Sequence, residues 1–118
     1  MNAPMNAVDL MNALSVELVF VPVDPTQVVD GAPTTGETAI AELGAAAIGV
    51  WEMSSGAMSD TEVAEVSVVI AGSASIQLVD EGRVLAVGPG DVIRFAGGER
   101  TIWRVADRVR KVYVVEAD

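Results

Sequence analysis

The stretch EVAEVSVVIAGSASIQLVDEGRVLAVGPGDVIRF, residues 62–95, decides the fold. It holds four short runs rich in β-branched residues, 62–71, 73–80, 83–87 and 91–95, separated by Gly72, Glu81-Gly82 and Gly88-Pro89-Gly90. Glycine admits positive φ and proline fixes φ, so these separators are turns with a mechanism. Asp91 follows the last of them, placed to accept hydrogen bonds from nearby backbone N–H groups. Along the first run Val63, Glu65, Ser67, Val69 and Ala71 alternate with Ala64, Val66, Val68 and Ile70. Side chains of a strand point alternately to its two faces, and here both faces are mainly apolar, the pattern of a strand covered on both sides. A small barrel covers one face with its own interior. The other needs a second sheet, the N-terminal segment or a partner subunit.

Outward from this stretch the same grammar continues. Residues 47–53, 100–106 and 109–116 are β-rich, bounded by Ser54-Ser55-Gly56, Gly97-Gly98 and Asp107-Arg108. Residues 16–23 predict a first short strand ending near Pro22 and Pro25, followed by a turn-rich loop over 30–36. Residues 38–43 predict either a strand or a helical turn, because Ala and Glu favour helix locally. No apolar stripe of helical period is long enough for a major helix. Short strands with turn signals at regular spacing predict an all-β antiparallel sandwich or barrel. Residues 1–14 read as a flexible N-terminal arm and 15–118 as a single domain. The Met-Asn-Ala triplet that recurs at Met1, Met5 and Met11 reads as alternative starts or a frayed tail.

Composition narrows the functions. The 118-residue chain is 51% hydrophobic and carries seventeen acidic against seven basic residues, a net charge of −10. A field of that sign repels phosphate backbones and anionic lipid, which argues against nucleic-acid and membrane partners. No run approaches the roughly 20 apolar residues of a membrane helix, and no secretory leader is evident, so a cytoplasmic location is expected. The absence of cysteine rules out disulfides and thiolate chemistry. The absence of histidine removes the commonest metal ligand and the commonest general base at neutral pH.

Several pieces form an ordered set between residues 49 and 115: Gly49-Val50-Trp51-Glu52, Ser55-Gly56, Glu65 with Gly72, Gly82, Gly88-Pro89-Gly90-Asp91, Phe95-Ala96-Gly97-Gly98, Trp103-Arg104-Val105 and Val109-Arg110-Lys111-Val112-Tyr113. In this order and spacing the chain resembles the cupin superfamily, within it the small cupins related to ureidoglycine aminohydrolase and ethanolamine-utilisation proteins. The resemblance implies a double-stranded β-helix, a jelly-roll barrel of two packed antiparallel sheets. It also implies a metal site of two histidines separated by one residue, a glutamate and a later histidine. Here Met58-Ser59-Asp60-Thr61-Glu62 contains no histidine, Ile93 stands at the later position, and Glu65 alone remains. One carboxylate without imidazole does not close a transition-metal site, so no metal and no cofactor are expected.

Glu65 is the leading site candidate, on the inward face beside Ser67 and Val69. It reads as a general acid/base or ligand anchor, or equally as a structural remnant paired with an arginine or hydroxyl. Trp51 and Trp103, the only tryptophans, are either core or an aromatic wall for a ligand. Tyr113, the only tyrosine, either donates a hydrogen bond to a ligand or caps the barrel edge. Ser67 and Ile93 complete the expected ligand-binding set. Arg94, Arg104, Arg108, Arg110 and Lys111 are read as solvated strand faces or an anion-binding rim. For Lys111, the sole lysine, an exposed strand position is favoured over a nucleophile. The leading functional expectation is a cupin that binds a small molecule without a catalytic metal. The alternatives are a metal-independent isomerase, lyase or cyclase using Glu65 as acid/base, and an accessory interaction protein with a degenerate pocket. A homodimer is expected through the Val66, Val68 and Ile70 face.

Overall fold

The computed structural model describes residues 8–116. Among them are nine strands and no helix: β1 (Phe20–Pro22), β2 (Val28–Asp30), β3 (Thr34–Leu43), β4 (Ala46–Thr61), β5 (Glu65–Gly72), β6 (Ala74–Leu78), β7 (Arg83–Val87), β8 (Val92–Phe95) and β9 (Arg100–Glu116). Every strand pairing is antiparallel.

Two long strands organise the barrel. β4 and β9 pair along their whole length, from Ala46↔Glu116 to Thr61↔Arg100. The first half of β4 and the second half of β9 belong to a sheet completed by β3 on one side and by β5 and β8 on the other. Their other halves belong to a second sheet, with β2 beside β4, and β6 and β7 beside β9. The fold is thus the two-sheet jelly-roll barrel, with β4 and β9 shared between the sheets.

The sharing corrects two expected turns. Ser54-Ser55-Gly56 and Asp107-Arg108 do not reverse the chain; they form one irregularity, where pairing shifts between Ser54↔Arg108 and Gly56↔Val105. A bulge bends a strand without ending it, and here the bend carries both strands from one sheet to the other. Gly56 has φ 139°, and a Cβ there would lie 2.8 Å from Pro33 Cδ, so only glycine fits. Residues 38–43 belong to β3, the strand alternative, because pairing with β4 overrides local helix preference. The expected first strand over 16–23 shortens to Phe20–Pro22.

The run expected over 62–71 starts three residues late. Glu62, Val63 and Ala64 connect β4 to β5, with the Glu62 N–H donating to Glu99 O and the Gly98 N–H donating to Glu62 O. Val63 is therefore exposed rather than inward. From Glu65 to Val69 the expected alternation holds, with Ser67 and Val69 buried inside the barrel; a register shift then sets Ala71, expected inward, opposite Arg110. On the opposite face Val66, Val92 and Val114 are exposed within this chain, with Val66 opposite Val114 and Val92 opposite Val68.

The interior core includes Met53, Val69, Ile76, Ile93, Phe95 and Val109. Burying each such side chain stabilises the fold by about 1.5–3 kcal/mol. Residues 12–16 lie against the outer face of the first sheet. There the Arg110 guanidinium donates to Ala13 O at 2.9 Å and Val16 O at 2.6 Å, and pairs with Glu52 at 3.0 Å. The remainder of the arm expected over 1–14 includes residues 1–7, outside the described residues. No described helix is long and apolar enough to cross a membrane.

Candidate functional site

The core does not fill the barrel from end to end. A cavity of about 380 Å³ opens at one end, where β3, β4, β5 and β9 and the β4–β5 connection meet. Alternation in β9 aims Lys111, Tyr113 and Val115 into it; β4 supplies Trp51, Met58 and Asp60, and β3 supplies Glu37. Glu62 enters from the connection and Glu65 from the first position of β5.

Lys111 lies at the centre of this arrangement. Its ammonium donates to Glu65 Oε2 at 2.6 Å, and both side chains are about nine-tenths buried. It stands 4.9 Å from the Trp51 ring centroid and 5.0 Å from that of Trp103, within the range of cation–π attraction. The two indoles meet edge to face, with centroids 5.4 Å apart and planes at 63°, the arrangement their quadrupoles favour. The exposed position expected for Lys111 is thus corrected. The β4–β9 and β5–β9 registers place Trp51 and Val69 directly beside it, and those neighbours exclude water.

Each of the other carboxylates is held differently. Glu62 Oε2 accepts from Thr101 Oγ1 at 2.6 Å and Trp103 Nε1 at 2.9 Å. Burial pushes its carboxyl above the ordinary value, a cost those two hydrogen bonds only partly offset. Burial likewise raises Asp60, against the lowering effects of the Thr61 N–H and the Lys111 charge. Tyr113 donates to Glu37 Oε2 at 2.7 Å. Burial first, then that hydrogen bond, holds the phenol well above its usual value. A Cβ on Gly49 would collide with the Tyr113 ring and hydroxyl, so the glycine lets the tyrosine lie across β4.

Of the expected site residues, Glu65, Trp51, Trp103 and Tyr113 come together at the cavity. Ser67 and Ile93 do not line it. They face each other across β5 and β8 in the packed interior, where Ile93 joins the core and Ser67 Oγ has no hydrogen-bond partner among the described residues. Asp60, Glu62, Glu37 and Lys111 were not in the expected site set. For Lys111 the signal was present, since it shares the Tyr113 face of β9. For Glu62 it was not, because its position depends on the strand break before Glu65.

A cupin metal does not fit these residues. Ile93 offers no donor, the ammonium of Lys111 engages Glu65, and the described residues hold no cluster of three His, Cys, Asp or Glu able to share an ion.

Comparison with known proteins bears on the same region. The EutQ-like cupin domain model matches residues 40–113. A solved structure of a protein of unknown function from Pseudomonas syringae pv. tomato superposes with a TM-score of 0.75 at 27% identity, covering 88% of this chain. The EutQ protein of Clostridium difficile gives 0.62 at 22% identity over 72% of this chain. The polyketide cyclase RemF of Streptomyces resistomycificus gives 0.67 at 20% identity, covering 94% of this chain and 80% of its own. The chain spans 46% of the Pseudomonas protein and 64% of the Clostridium one. No curated protein matches the sequence.

Proposed function

We propose, starting from the fact that the chain belongs to the EutQ-like cupin family, that it binds a small molecule at the open end of its barrel without a catalytic metal. The observation that carries this reading is the cavity of about 380 Å³ with a buried Lys111–Glu65 pair on an aromatic wall. Its size suits a small ligand, and a few convergent polar groups beside apolar walls are what orient one. A barrel kept only for protein contacts has no need of an opening to a buried ion pair, so the accessory-protein alternative has less support. A second reading, a metal-independent enzyme, draws on a proton donor and acceptor 2.6 Å apart at the cavity wall. In that reading Glu65 takes a substrate proton and Lys111 neutralises the charge left behind. The likeness to RemF extends to the fold and is compatible with this reading.

The two tryptophans of the chain form an edge-to-face pair beside this site, which makes intrinsic fluorescence a local reporter. A metabolite library screened by tryptophan emission and thermal shift should yield saturable ligands. Glu65→Gln should weaken them by about tenfold or more while the protein stays folded. Ligands that bind wild type and Glu65→Gln equally would place binding elsewhere and overturn the assignment. So would a library in which nothing saturates.

A further inference from the structure

The cavity is charged unevenly. Glu37, Asp60, Glu62 and Glu65 line it, and among the described residues Lys111 is the only cation that does. Lys111 is already committed to Glu65 and the two indoles. The other three carboxylates have only neutral partners: the Tyr113 hydroxyl for Glu37, the Thr61 N–H for Asp60, and Thr101 with Trp103 for Glu62. An anion entering this space meets three carboxylates that no cation contacts, since Lys111 acts on Asp60 and Glu62 only at a distance. A metal ion fails for a different reason, since the carboxylates are spread around the cavity and do not converge on one point. Spread negative charge beside apolar surface suits a larger, diffuse cation, one that gains from carboxylates and from aromatic faces together. The protein itself shows that this wall accepts such a group, because the Lys111 ammonium rests against both indoles and a carboxylate.

We infer that the ligand is a small organic cation, an ammonium or amidinium on an apolar body, held by Asp60, Glu62 and Glu37 beside the tryptophan pair. This rests on the small-molecule binding proposed above and adds the charge class of the ligand. Recognition also acquires a pH dependence. Asp60 and Glu62 are raised above the ordinary carboxylate range by burial, and only their ionised forms attract a cation. The groups facing them are Glu37 on β3, Glu65 on β5, and Lys111 and Tyr113 on β9. Affinity therefore rises as pH climbs through the raised carboxyl values and falls as those groups protonate.

The test uses three probes of one shape, benzylammonium, benzyl alcohol and benzoate, titrated against the whole protein by tryptophan emission and calorimetry. Benzylammonium should bind at least about tenfold more tightly than either isostere and should weaken with added salt. Its affinity should also fall on going from about pH 7.5 to about pH 5. Asp60→Asn with Glu62→Gln should erase most of the preference. Should that double variant fold poorly, Glu37→Gln at the exposed rim carries the same expectation at smaller size. Equal or tighter binding of the alcohol or benzoate overturns the charge class while leaving a binding cavity in place. Absence of binding by all three probes overturns it as well, and the library screen then decides separately whether the cavity binds anything. An ammonium affinity unchanged in the carboxylate variants also overturns it.

Discussion

Arg110 and Lys111 are neighbours in sequence, yet they face opposite sides of β9, and each buries an ion pair. Arg110 points outward, pairs with Glu52 on β4 and also donates to the carbonyls of Ala13 and Val16. Lys111 points inward and pairs with Glu65 on β5, with indole faces as its other partners. Both cations are about equally buried. The planar fork of Arg110 is answered by protein acceptors on several sides, as a structural clamp requires. The ammonium of Lys111 has one protein acceptor and abuts an open cavity. The contrast separates a pair enclosed by protein acceptors from a pair that abuts a cavity, although burial alone does not tell them apart.

The largest expected effect lies on the clamp. Arg110→Met leaves the Glu52 carboxylate buried without its cation and frees residues 12–16 from the sheet, which should cost about 3–5 kcal/mol. The check is a urea melt, with ligand affinity per folded molecule unchanged. A loss below about 1 kcal/mol would mean the clamp is not structural. On the cavity side, Glu65→Gln should cost less, about 1–3 kcal/mol, because the Lys111 ammonium keeps its two indole contacts and the cavity opening. Glu65 has a partner, so its replacement carries a cost that replacing an unpaired inward carboxylate would not. Glu65→Gln combined with Lys111→Met should recover most of the stability while binding stays lost. Additive losses in that double-mutant cycle would show that the two groups do not act as a pair.

The smallest effect concerns Glu62 and sharpens the comparison by pH. Its folded-state carboxyl is raised by burial, so between the ordinary value and the raised one the native state binds more protons than the unfolded chain. Stability then falls as pH rises through that window, because ionising the buried group is unfavourable. Glu62→Gln keeps an acceptor for Thr101 and Trp103 and removes the charge. The variant should therefore be slightly more stable than wild type at neutral pH, with the difference vanishing below the carboxylate range. A variant less stable at neutral pH would show that the charged hydrogen bonds outweigh the burial cost.

Much of this was legible in the sequence. Gly72, Gly82 and Gly88-Pro89-Gly90 mark real strand ends, because glycine and proline act on φ locally and need no tertiary partner. Alternation along β5 placed Glu65 on the inward face, since strand period is a property of the backbone itself, whereas Tyr113 stayed open between a ligand contact and the barrel edge. The absence of histidine and the isoleucine at residue 93 were enough to show that the ligand set of a cupin metal is missing. Only the tertiary structure decided which inward residues meet water, which meet core and which meet each other. Ser67 and Ile93 share the inward face with Glu65 but lie deeper, where β5 and β8 close over them. The bulge between Ser54 and Gly56 turned an apparent pair of turns into a bend within two continuous strands. The ion pair of Lys111 with Glu65 joins residues 46 positions apart in the chain. Such pairs depend on register, and register is set by long-range pairing and by bulges that no local period records.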